Sequence, residues 1–382
     1  MVNTPEELGS WLRLSLTPGV GDESARKLLA AFGPPDRIFA QTESALRQVV
    51  SATQARHLLN TPDGWTDLTR ETWEWLQSPH AQGLAHAVVT LGDADYPAPL
   101  LRIPDPPLML YALGQTALLP QLNAERSLAM VGSRNPTPQG LANARELARS
   151  LAGSGLTIVS GMALGIDGAA HDGALLGAGP QTLATIAVVG TGLDRVYPRQ
   201  HRELAHRIAQ HGLILSEYPL GTPPLNAHFP KRNRLIAGLS QATLVVEAAL
   251  QSGSLITARQ ALEQGRDVMA IPGSIHSAQA KGCHALIKQG AKLVESAQDV
   301  LEELRLPDPF AQVPLARDAA HTPAKTDHEL LQLMGHDPVG LDALQARCGW
   351  PTAQLQAQLL ELELMGQVGR LPGGLFQRIG FA

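Results

Sequence analysis

The chain has few of the residues that signal disulfides, metal sites or membranes. Only Cys283 and Cys348 are cysteines among 382 residues, and neither has a partner at zinc-ligand spacing. A disulfide framework and a structural zinc site are therefore not expected, and a reducing compartment is favoured. The sequence has no N-terminal signal-like apolar segment and no run of 18 apolar residues. We expect a cytoplasmic protein without a membrane span or a bound metal.

Aromatic residues make up 4% of the chain and charged residues 17%, with a formal net charge of −5. This balance excludes a protein coated in positive charge, so any nucleic-acid site must be a focused patch. Hydrophobic residues, at 44%, suffice for a large core, while 36 glycines and 28 prolines indicate many turns. The length predicts two or three domains.

Residues 1–80 are predicted to form a helical domain. Two segments with apolar residues at helical spacing flank Thr17-Pro18-Gly19-Val20-Gly21. This pattern is similar to a helix-hairpin-helix. The backbone amides of such a hairpin can hold a DNA phosphate. A plain turn that needs glycine explains the same residues. We favour a structural or protein-binding use over direct DNA contact.

Residues 81–306 are predicted to form an extended Rossmann-like domain. From about residue 125, near-continuous apolar strands alternate with amphipathic helices, after two short strands near 87–91 and 108–112. Buried strands of this kind indicate a parallel sheet with helices on both faces. The expected fold class is therefore α/β, with a doubly wound, mostly parallel sheet.

The C-terminal region is predicted to hold a linker and a small domain. Residues 307–326 are rich in proline and alanine, which is typical of a linker, and residues 327–382 suggest three helices and a hairpin. That pattern predicts a winged-helix-like domain, whose third helix often reads duplex DNA. Here the third helix carries glutamines and glutamates but no cation. A protein-interaction module is therefore favoured.

A basic stretch at residues 227–240 is the strongest functional signal. Lys231, Arg232 and Arg234 follow Pro230, which suits a helix start. Cations are disfavoured at that end of the helix dipole, unless an anion joins them. Backbone amides and guanidinium groups could form a phosphate site, with Phe229 as a ring on which a base stacks. A solvated basic turn is the alternative.

Loops at the carboxyl ends of the predicted strands supply the other candidate residues. Ligands of open parallel sheets bind at this edge. Small residues there let backbone amides approach an anion closely. The candidate DNA-binding residues are Gly132, Ser133, Arg134, Ser160, Gly161, Phe229, Lys231, Arg232, Asn233, Arg234, Ser252, Gly253 and Ser254. If all four cations contact phosphates, log K against log salt should have a slope of about −3 per subunit.

The sequence does not match the known motifs for a nucleotide cofactor or a catalytic nucleophile. Gly190-Thr191-Gly192 begins a dinucleotide fingerprint, but Arg195 stands where its last glycine belongs, and no P-loop or nucleophile elbow occurs. Asp167, His171 and Asp172 are better explained as a helix-start network than as an acid/base or metal set. We predict no cofactor and no catalytic residue. The alternative is a nucleotide-processing hydrolase of the lysine-decarboxylase-like type, with Glu247 as its acid/base group or ribose contact.

An ordered set of motifs resembles the bacterial DNA-processing protein A (DprA, or Smf) family over about residues 85–305. The set comprises Gly132-Ser133-Arg134, Ser160-Gly161 with Gly165-Ile166-Asp167, Tyr197-Pro198, Ser216-Glu217-Tyr218, Phe229-Pro230 with Arg232-Asn233-Arg234, Ser252-Gly253-Ser254, Pro272-Gly273 and Gly282-Cys283.

The resemblance implies a single-stranded DNA-binding protein of natural transformation that is not an enzyme. Such proteins protect incoming strands and load the RecA recombinase onto them. The resemblance also implies a homodimer through the Rossmann-like domain, near Cys283 to Leu293. Arg134 would be the DNA-contacting arginine, and Phe229, Lys231, Arg232 and Asn233 would form the basic pocket. Binding of double-stranded DNA stays open.

Overall fold

The computed structural model describes residues 2–78, 84–179, 182–306 and 329–379. The predicted linker, residues 307–326, lies outside the described residues. Within residues 2–78, six helices pack around a core of leucines that includes Leu8, Leu12 and Leu28. These helices are α1 (Pro5–Leu16), α2 (Asp22–Phe32), α3 (Pro35–Phe39), α4 (Glu43–Leu46), α5 (Ala52–Leu59) and α6 (Trp65–Gln77).

The predicted hairpin between α1 and α2 is a tight turn packed on α5. Gly19 has a φ of 76°, which favours glycine, and its carbonyl accepts a hydrogen bond from Gln54 at 2.7 Å. His57 contacts the carbonyl of Pro18 at 2.8 Å. Val20 is buried in the helical core. The turn therefore serves to position Asp22, the first residue of α2.

Nine strands form one sheet within residues 84–306 as far as they are described. The strands are β1 (Ala85–Thr90), β2 (Met109–Gly114), β3 (Ser127–Val131), β4 (Thr157–Ser160), β5 (Thr185–Val188), β6 (Leu213–Ser216), β7 (Ala242–Val245), β8 (Asp267–Ala270) and β9 (Lys292–Leu293). Their spatial order is β1-β2-β6-β5-β4-β3-β7-β8-β9. The strands from β6 to β9 in this order are parallel, whereas β1 and β2 are antiparallel.

Helices cover both faces of the sheet. They are α7 (Pro138–Gly153), α8 (Ile166–Gly177), α9 (Arg202–His211), α10 (His228–Gly238), α11 (Ser254–Glu263), α12 (Lys281–Lys288) and α13 (Ala297–Glu303). Ala129 and Val131 of β3 join one core, while Leu128 and Met130 join the core on the other face. Burial on both faces explains the continuous apolar strands of the sequence. The predicted doubly wound α/β fold is confirmed.

Short 3₁₀ turns connect several of these elements. They span Ala98–Arg102, Thr116–Gln121, Ala124–Arg126, Arg199–His201 and Ala278–Ala280. In the described part of the chain, no helix is both long and apolar enough to cross a membrane.

The C-terminal domain is a winged helix, as predicted. Its described elements are α14 (Glu329–Met334), β10 (Val339–Gly340), α15 (Leu341–Cys348), α16 (Thr352–Leu364), β11 (Val368–Leu371) and β12 (Leu375–Arg378). The three strands form a small sheet in the order β10-β12-β11. Leu344, Leu355 and Leu359 are buried in its core. The hairpin of β11 and β12 lies close to α7. A Cβ added at Gly369 would be only 2.5 Å from the Cβ of Pro138.

Helices α7 and α8 are packed unusually closely. A Cβ added at Gly173 would overlap the carbonyl of Arg145, and one at Gly177 would overlap the carbonyl of Arg149. These two glycines lie four residues apart, on one face of α8. The absence of side chains there lets the backbones of the two helices touch.

We predict that Gly173→Ala lowers the free energy of unfolding by about 1–3 kcal/mol, because the added methyl group overpacks this contact. Urea unfolding followed by circular dichroism measures the change. Gly153→Ala is the matched control, since a Cβ there would lie at an ordinary 3.6 Å from the carbonyl of Gly177. Equal stability of the two variants would contradict the close-packing argument.

Candidate nucleic-acid interface

A cavity of about 470 Å³ opens at the carboxyl edge of the sheet, where β3 lies beside β7. Chain connections leave these two strands in opposite directions along the sheet, which makes this the topological switch point. Nine of the predicted site residues line the cavity: Gly132, Ser133, Arg134, Phe229, Arg232, Asn233, Ser252, Gly253 and Ser254. The structure therefore brings most of the predicted residues together at one place.

Four predicted residues lie elsewhere. Ser160 is fully buried and donates its hydroxyl to the carbonyl of Met130 at 2.7 Å. Gly161 lines a neighbouring cavity of about 90 Å³. Lys231 lines a third cavity, of about 160 Å³, beside the helical domain. Arg234 lies on α10 with its side chain buried, and it does not line the 470 Å³ cavity.

The loop after β3 is tied to the end of β7. The backbone amide of Ser133 donates to the carbonyl of Glu247 at 2.6 Å. A Cβ at Gly132 would lie 2.6 Å from Ile166 and 2.9 Å from the Glu247 carbonyl, so only glycine fits there. This close approach holds the start of α8, the end of β3 and the end of β7 together.

The other side of the cavity is formed by the start of α11. The hydroxyls of Ser252 and Ser254 lie 2.7 Å apart, and the Ser252 hydroxyl accepts the backbone amide of Ser254 at 3.4 Å. The N-cap residue, Gly253, has no side chain with which to cap the helix. Gly253 is exposed, with open space where a Cβ would lie. Hydroxyls at the positive end of a helix dipole suit an anion.

Helix α10 begins at His228, two residues before Pro230, and its cations have partners within the protein. Arg232 Nη1 donates to the carbonyls of Gly161, at 2.7 Å, and of Val188. Burial lowers the pKa of Arg232 to about 10, although the nearby carboxylate of Asp167 raises it. Arg232 is therefore a charged group that holds the backbone, with its Nη1 engaged by two carbonyls.

Arg234 and Lys231 join a network of charges that links α10 to the helical domain. Arg234 forms a bidentate pair with Glu217, at 2.7 and 2.6 Å, and contacts Asp105 at 3.1 Å. Lys231 Nζ lies 2.8 Å from Asp22 and 3.7 Å from Glu217. Burial alone would lower the pKa of Lys231, but Glu217 and Asp22 raise it on balance.

These partners correct one inference from the sequence. Cations in the first turn of α10 do not by themselves require a bound anion, because carbonyls and carboxylates of the protein compensate them. The notion of four cations free to meet phosphates does not fit this arrangement. The sequence alone could not reveal the partner of Lys231, since Asp22 lies 209 positions away.

Arg134 differs from the other cations of the site. Its side chain is exposed, and it has no hydrogen bond or ion pair with any residue that the structure describes. Its guanidinium carbon lies 5.6 Å from the centroid of the Phe229 ring. The ring of Phe229 lies in turn 5.7 Å from that of Tyr197. An unpaired cation and two aromatic rings therefore share this edge of the sheet.

The residues considered for acid/base or metal chemistry do not form one site. His171 is buried, with Nδ1 at 2.7 Å from the Thr185 hydroxyl, and burial lowers its pKa to about 3. Asp167 accepts the backbone amides of Gly161 and Ala163, at 3.1 and 3.3 Å. Burial raises the pKa of Asp167, whereas Arg232 and these two amides lower it. Asp167 therefore supports the backbone beside the start of α8, whereas His171 makes a separate buried contact.

Asp172 lies apart from Asp167 and His171 and pairs with Arg145 and Arg207, at 2.5 and 2.7 Å. No group of three or more histidine, cysteine, aspartate or glutamate side chains could hold a metal ion in the described part of the chain.

Glu247, the candidate acid/base group of a hydrolase, supports the start of α7. Its two carboxylate oxygens accept the backbone amide of Thr137 at 2.8 Å and its hydroxyl at 2.7 Å. Burial raises the pKa of Glu247, while both of these hydrogen bonds lower it. The side chain is engaged away from the lining of the 470 Å³ cavity.

The fold and site define a Rossmann-like protein with its candidate binding edge at the topological switch point, a helical domain before it and a winged helix after it. The family model for DNA recombination-mediator protein A matches residues 87–305, and the DprA winged helix domain model matches residues 314–374. The chain belongs to the DNA recombination-mediator protein A family, also named DprA or Smf.

Several relatives support this assignment. Protein Smf of Escherichia coli K12 is 42% identical over 311 residues, which covers 78% of each chain. The DNA processing protein DprA of Streptococcus pneumoniae is 48% identical over 211 residues, covering 55% of this chain and 72% of the relative.

Solved structures of the same family are similar in fold. The X-ray structure of DprA from S. pneumoniae matches with a TM-score of 0.64 and 36% identity, over 79% of this chain and 99% of that one. A structure of DprA from Helicobacter pylori, described for its single-stranded DNA binding mode, matches with a TM-score of 0.50 and 34% identity, over 57% and 95%.

We predict that Glu217→Gln lowers the free energy of unfolding by about 3 kcal/mol, near the lower end for breaking a buried ion pair. The side chains of Glu217 and Arg234 are only 5% and 9% exposed, although Asp105 still contacts the arginine. Urea unfolding measures the change. Glu203→Gln, an exposed position on α9, is the control and should leave stability unchanged. Unaltered stability of Glu217→Gln would show that the charge network is not stabilising.

Proposed function

We propose that this protein binds single-stranded DNA at the carboxyl edge of its sheet. The observation that carries the proposal is Arg134, a cation without a partner among the described residues, placed between a serine-lined cavity and the Phe229 ring. Phosphate binding beside a stacking ring is the usual chemistry of a single-strand site. The H. pylori relative, described as binding single-stranded DNA, supports the same conclusion.

In this proposal, Arg134 binds a phosphate and Phe229 stacks a base. Ser252, Gly253 and Ser254, at the start of α11, hold a second phosphate. Gly132, Ser133 and Asn233 complete the cavity lining, where they let the DNA backbone approach closely. Lys231 reaches a phosphate only when it leaves Asp22.

Arg234, Ser160 and Gly161 act as positioning residues in this proposal, because their polar groups are occupied within the protein. Arg232 acts in the same way, because its guanidinium is buried and its Nη1 is held by two carbonyls, while its Nε has no partner among the described residues. Two cations, Arg134 and Lys231, are then left to neutralise phosphates. At about −0.7 per contact, the expected slope of log K against log salt is about −0.7 per subunit while Asp22 holds Lys231, and about −1.4 when Lys231 also reaches a phosphate.

We further propose that the protein acts in natural transformation, in the cytoplasm, by protecting incoming single strands and loading RecA onto them. Binding rather than catalysis is favoured, because both oxygens of Glu247 are occupied by Thr137. Release of free base from a nucleoside monophosphate would instead support the hydrolase alternative.

A homodimer is proposed through the Rossmann-like domain, near Cys283 to Leu293. Cys283 itself is buried, but Leu293 on the edge strand β9 is 42% exposed, and Ile275 before α12 is 67% exposed. Exposed apolar side chains beside an edge strand suit a protein interface. Two joined sites would raise the affinity for a long strand through effective concentration.

The winged helix is proposed to contact protein rather than double-stranded DNA. On α16, Leu360 and Leu364 are exposed, and the charged residues of that helix are Glu361 and Glu363. A helix that reads duplex DNA would be expected to carry cations for the phosphates.

Replacing Arg134 with glutamate should weaken binding of a labelled poly-dT strand by about 10- to 150-fold, because a charge-assisted contact contributes about 1.5–3 kcal/mol. The salt slope should also become shallower by about 0.7. Fluorescence anisotropy across a salt series measures both. Arg149→Glu makes the same charge change near the far end of α7 and should bind like the wild type. If both variants bind equally well, the proposed site is wrong.

Removing the carboxylate that holds Lys231 should strengthen DNA binding. In Asp22→Asn, Lys231 loses the nearer of its two carboxylate partners and keeps only Glu217, at 3.7 Å, so it reaches a phosphate more readily and the salt slope should steepen by up to about 0.7. Glu23→Gln, next along α2, is the control, because Glu23 pairs with Lys27 at 2.7 Å instead. An unchanged slope in Asp22→Asn would mean that Lys231 makes no phosphate contact.

A further inference from the structure

A second, smaller cavity of about 90 Å³ lies on the other side of Arg134 from the serines. Arg134 and Phe229 border both cavities, whereas Ser252 and Ser254 border only the larger one. Tyr197, Met162 and Leu164 border only the smaller one. The serines thus border one cavity and the Tyr197 ring the other, while Arg134 and Phe229 border both.

Apart from the guanidinium of Arg134 and the hydroxyl of Tyr197, the smaller cavity offers few free polar groups to a ligand. Arg232 at its base already donates to two carbonyls. The carbonyl of Met162 is already 2.9 Å from Nδ1 of His201. The amide of Ala163 donates to Asp167. What remains available is apolar surface and aromatic faces.

Tyr197 is the exposed ring of this cavity. All four tyrosines of the chain are described, and Tyr96, Tyr111 and Tyr218 are buried, whereas Tyr197 is 46% exposed. An aromatic ring left in solvent beside a nucleic-acid site has a face to offer a base. No described residue forms a hydrogen bond with its hydroxyl, so the ring is not explained by a structural polar contact.

The spacing of the two rings limits how a base can bind. The centroids of Tyr197 and Phe229 are 5.7 Å apart, with the planes tilted by 31°. Rings in direct contact have centroids about 4.5–7 Å apart, so these two already touch. A base cannot enter between them in this arrangement. Each ring instead presents a face to a separate base.

We infer that Tyr197 is a second base-stacking residue, which receives the base next to the one stacked on Phe229. The inference rests on the proposed function and adds a residue and a base to it. The phosphate between the two nucleotides would then lie near Arg134, which borders both cavities. Because every base has a flat aromatic face, this contact would not depend on sequence.

The test compares two labelled strands of equal length, one of poly-dT and one in which every base is replaced by an abasic tetrahydrofuran site. Tyr197→Ala and Tyr197→Leu should each bind poly-dT about 5- to 150-fold more weakly, as expected for the loss of one stacked base. Both should bind the abasic strand like the wild type. Tyr197→Phe keeps the ring and should retain wild-type affinity for poly-dT.

Three outcomes separate this inference from the proposed function. Wild-type affinity of Tyr197→Ala for poly-dT, with binding lost in Arg134→Glu, would overturn the stacking role alone. Equal weakening on both strands would also overturn it, because the residue would then support the backbone site and not a base. Absence of poly-dT binding by the wild-type protein would overturn the proposed function itself.

Discussion

The buried guanidinium of Arg232 is the contact on which the candidate interface depends. It joins α10 to the backbone at the ends of β4 and β5, through the carbonyls of Gly161 and Val188. Asp167, at the start of α8, holds the amide of Gly161 from the other side. Because Phe229 lies three residues before Arg232 on the same helix, this contact also fixes where the ring points. Arg232 therefore helps to set the shape of this edge of the sheet.

The cations of α10 show what could not be predicted from the sequence, namely which of them have partners within the protein. The rule that ligands bind at the carboxyl ends of parallel strands correctly grouped Gly132, Arg134 and Ser252, because strand order and loop position follow from hydrophobic pattern. Whether a given cation is free depends on residues brought close only by the complete fold. Lys231 meets Asp22 of the helical domain, and nothing local in the sequence indicates that contact.

The solvent exposure of individual side chains could not be predicted from the sequence either. Tyr197 belongs to a recognisable motif, but only the structure reveals that its ring is exposed and touches Phe229. Glu247 shows the opposite case, because its place at the end of a strand suggests chemistry, whereas both of its oxygens are used to cap α7. The fold class could be predicted from the sequence, as could the grouping of the candidate residues at one edge of the sheet, but not which of their side chains are engaged within the protein.

The glycines of α8 have a consequence beyond packing. With Gly173 and Gly177 against the backbone of α7, α8 has no side-chain layer there that could deform and absorb a displacement. Its first residue, Ile166, leaves no room for a side chain at position 132, so a shift of the helix axis would pass directly to the cavity edge. The helix is about 18 Å long, because it has 12 residues at about 1.5 Å each. We expect it to behave as a rigid rod, so that residues at its far end influence the width of the candidate cavity.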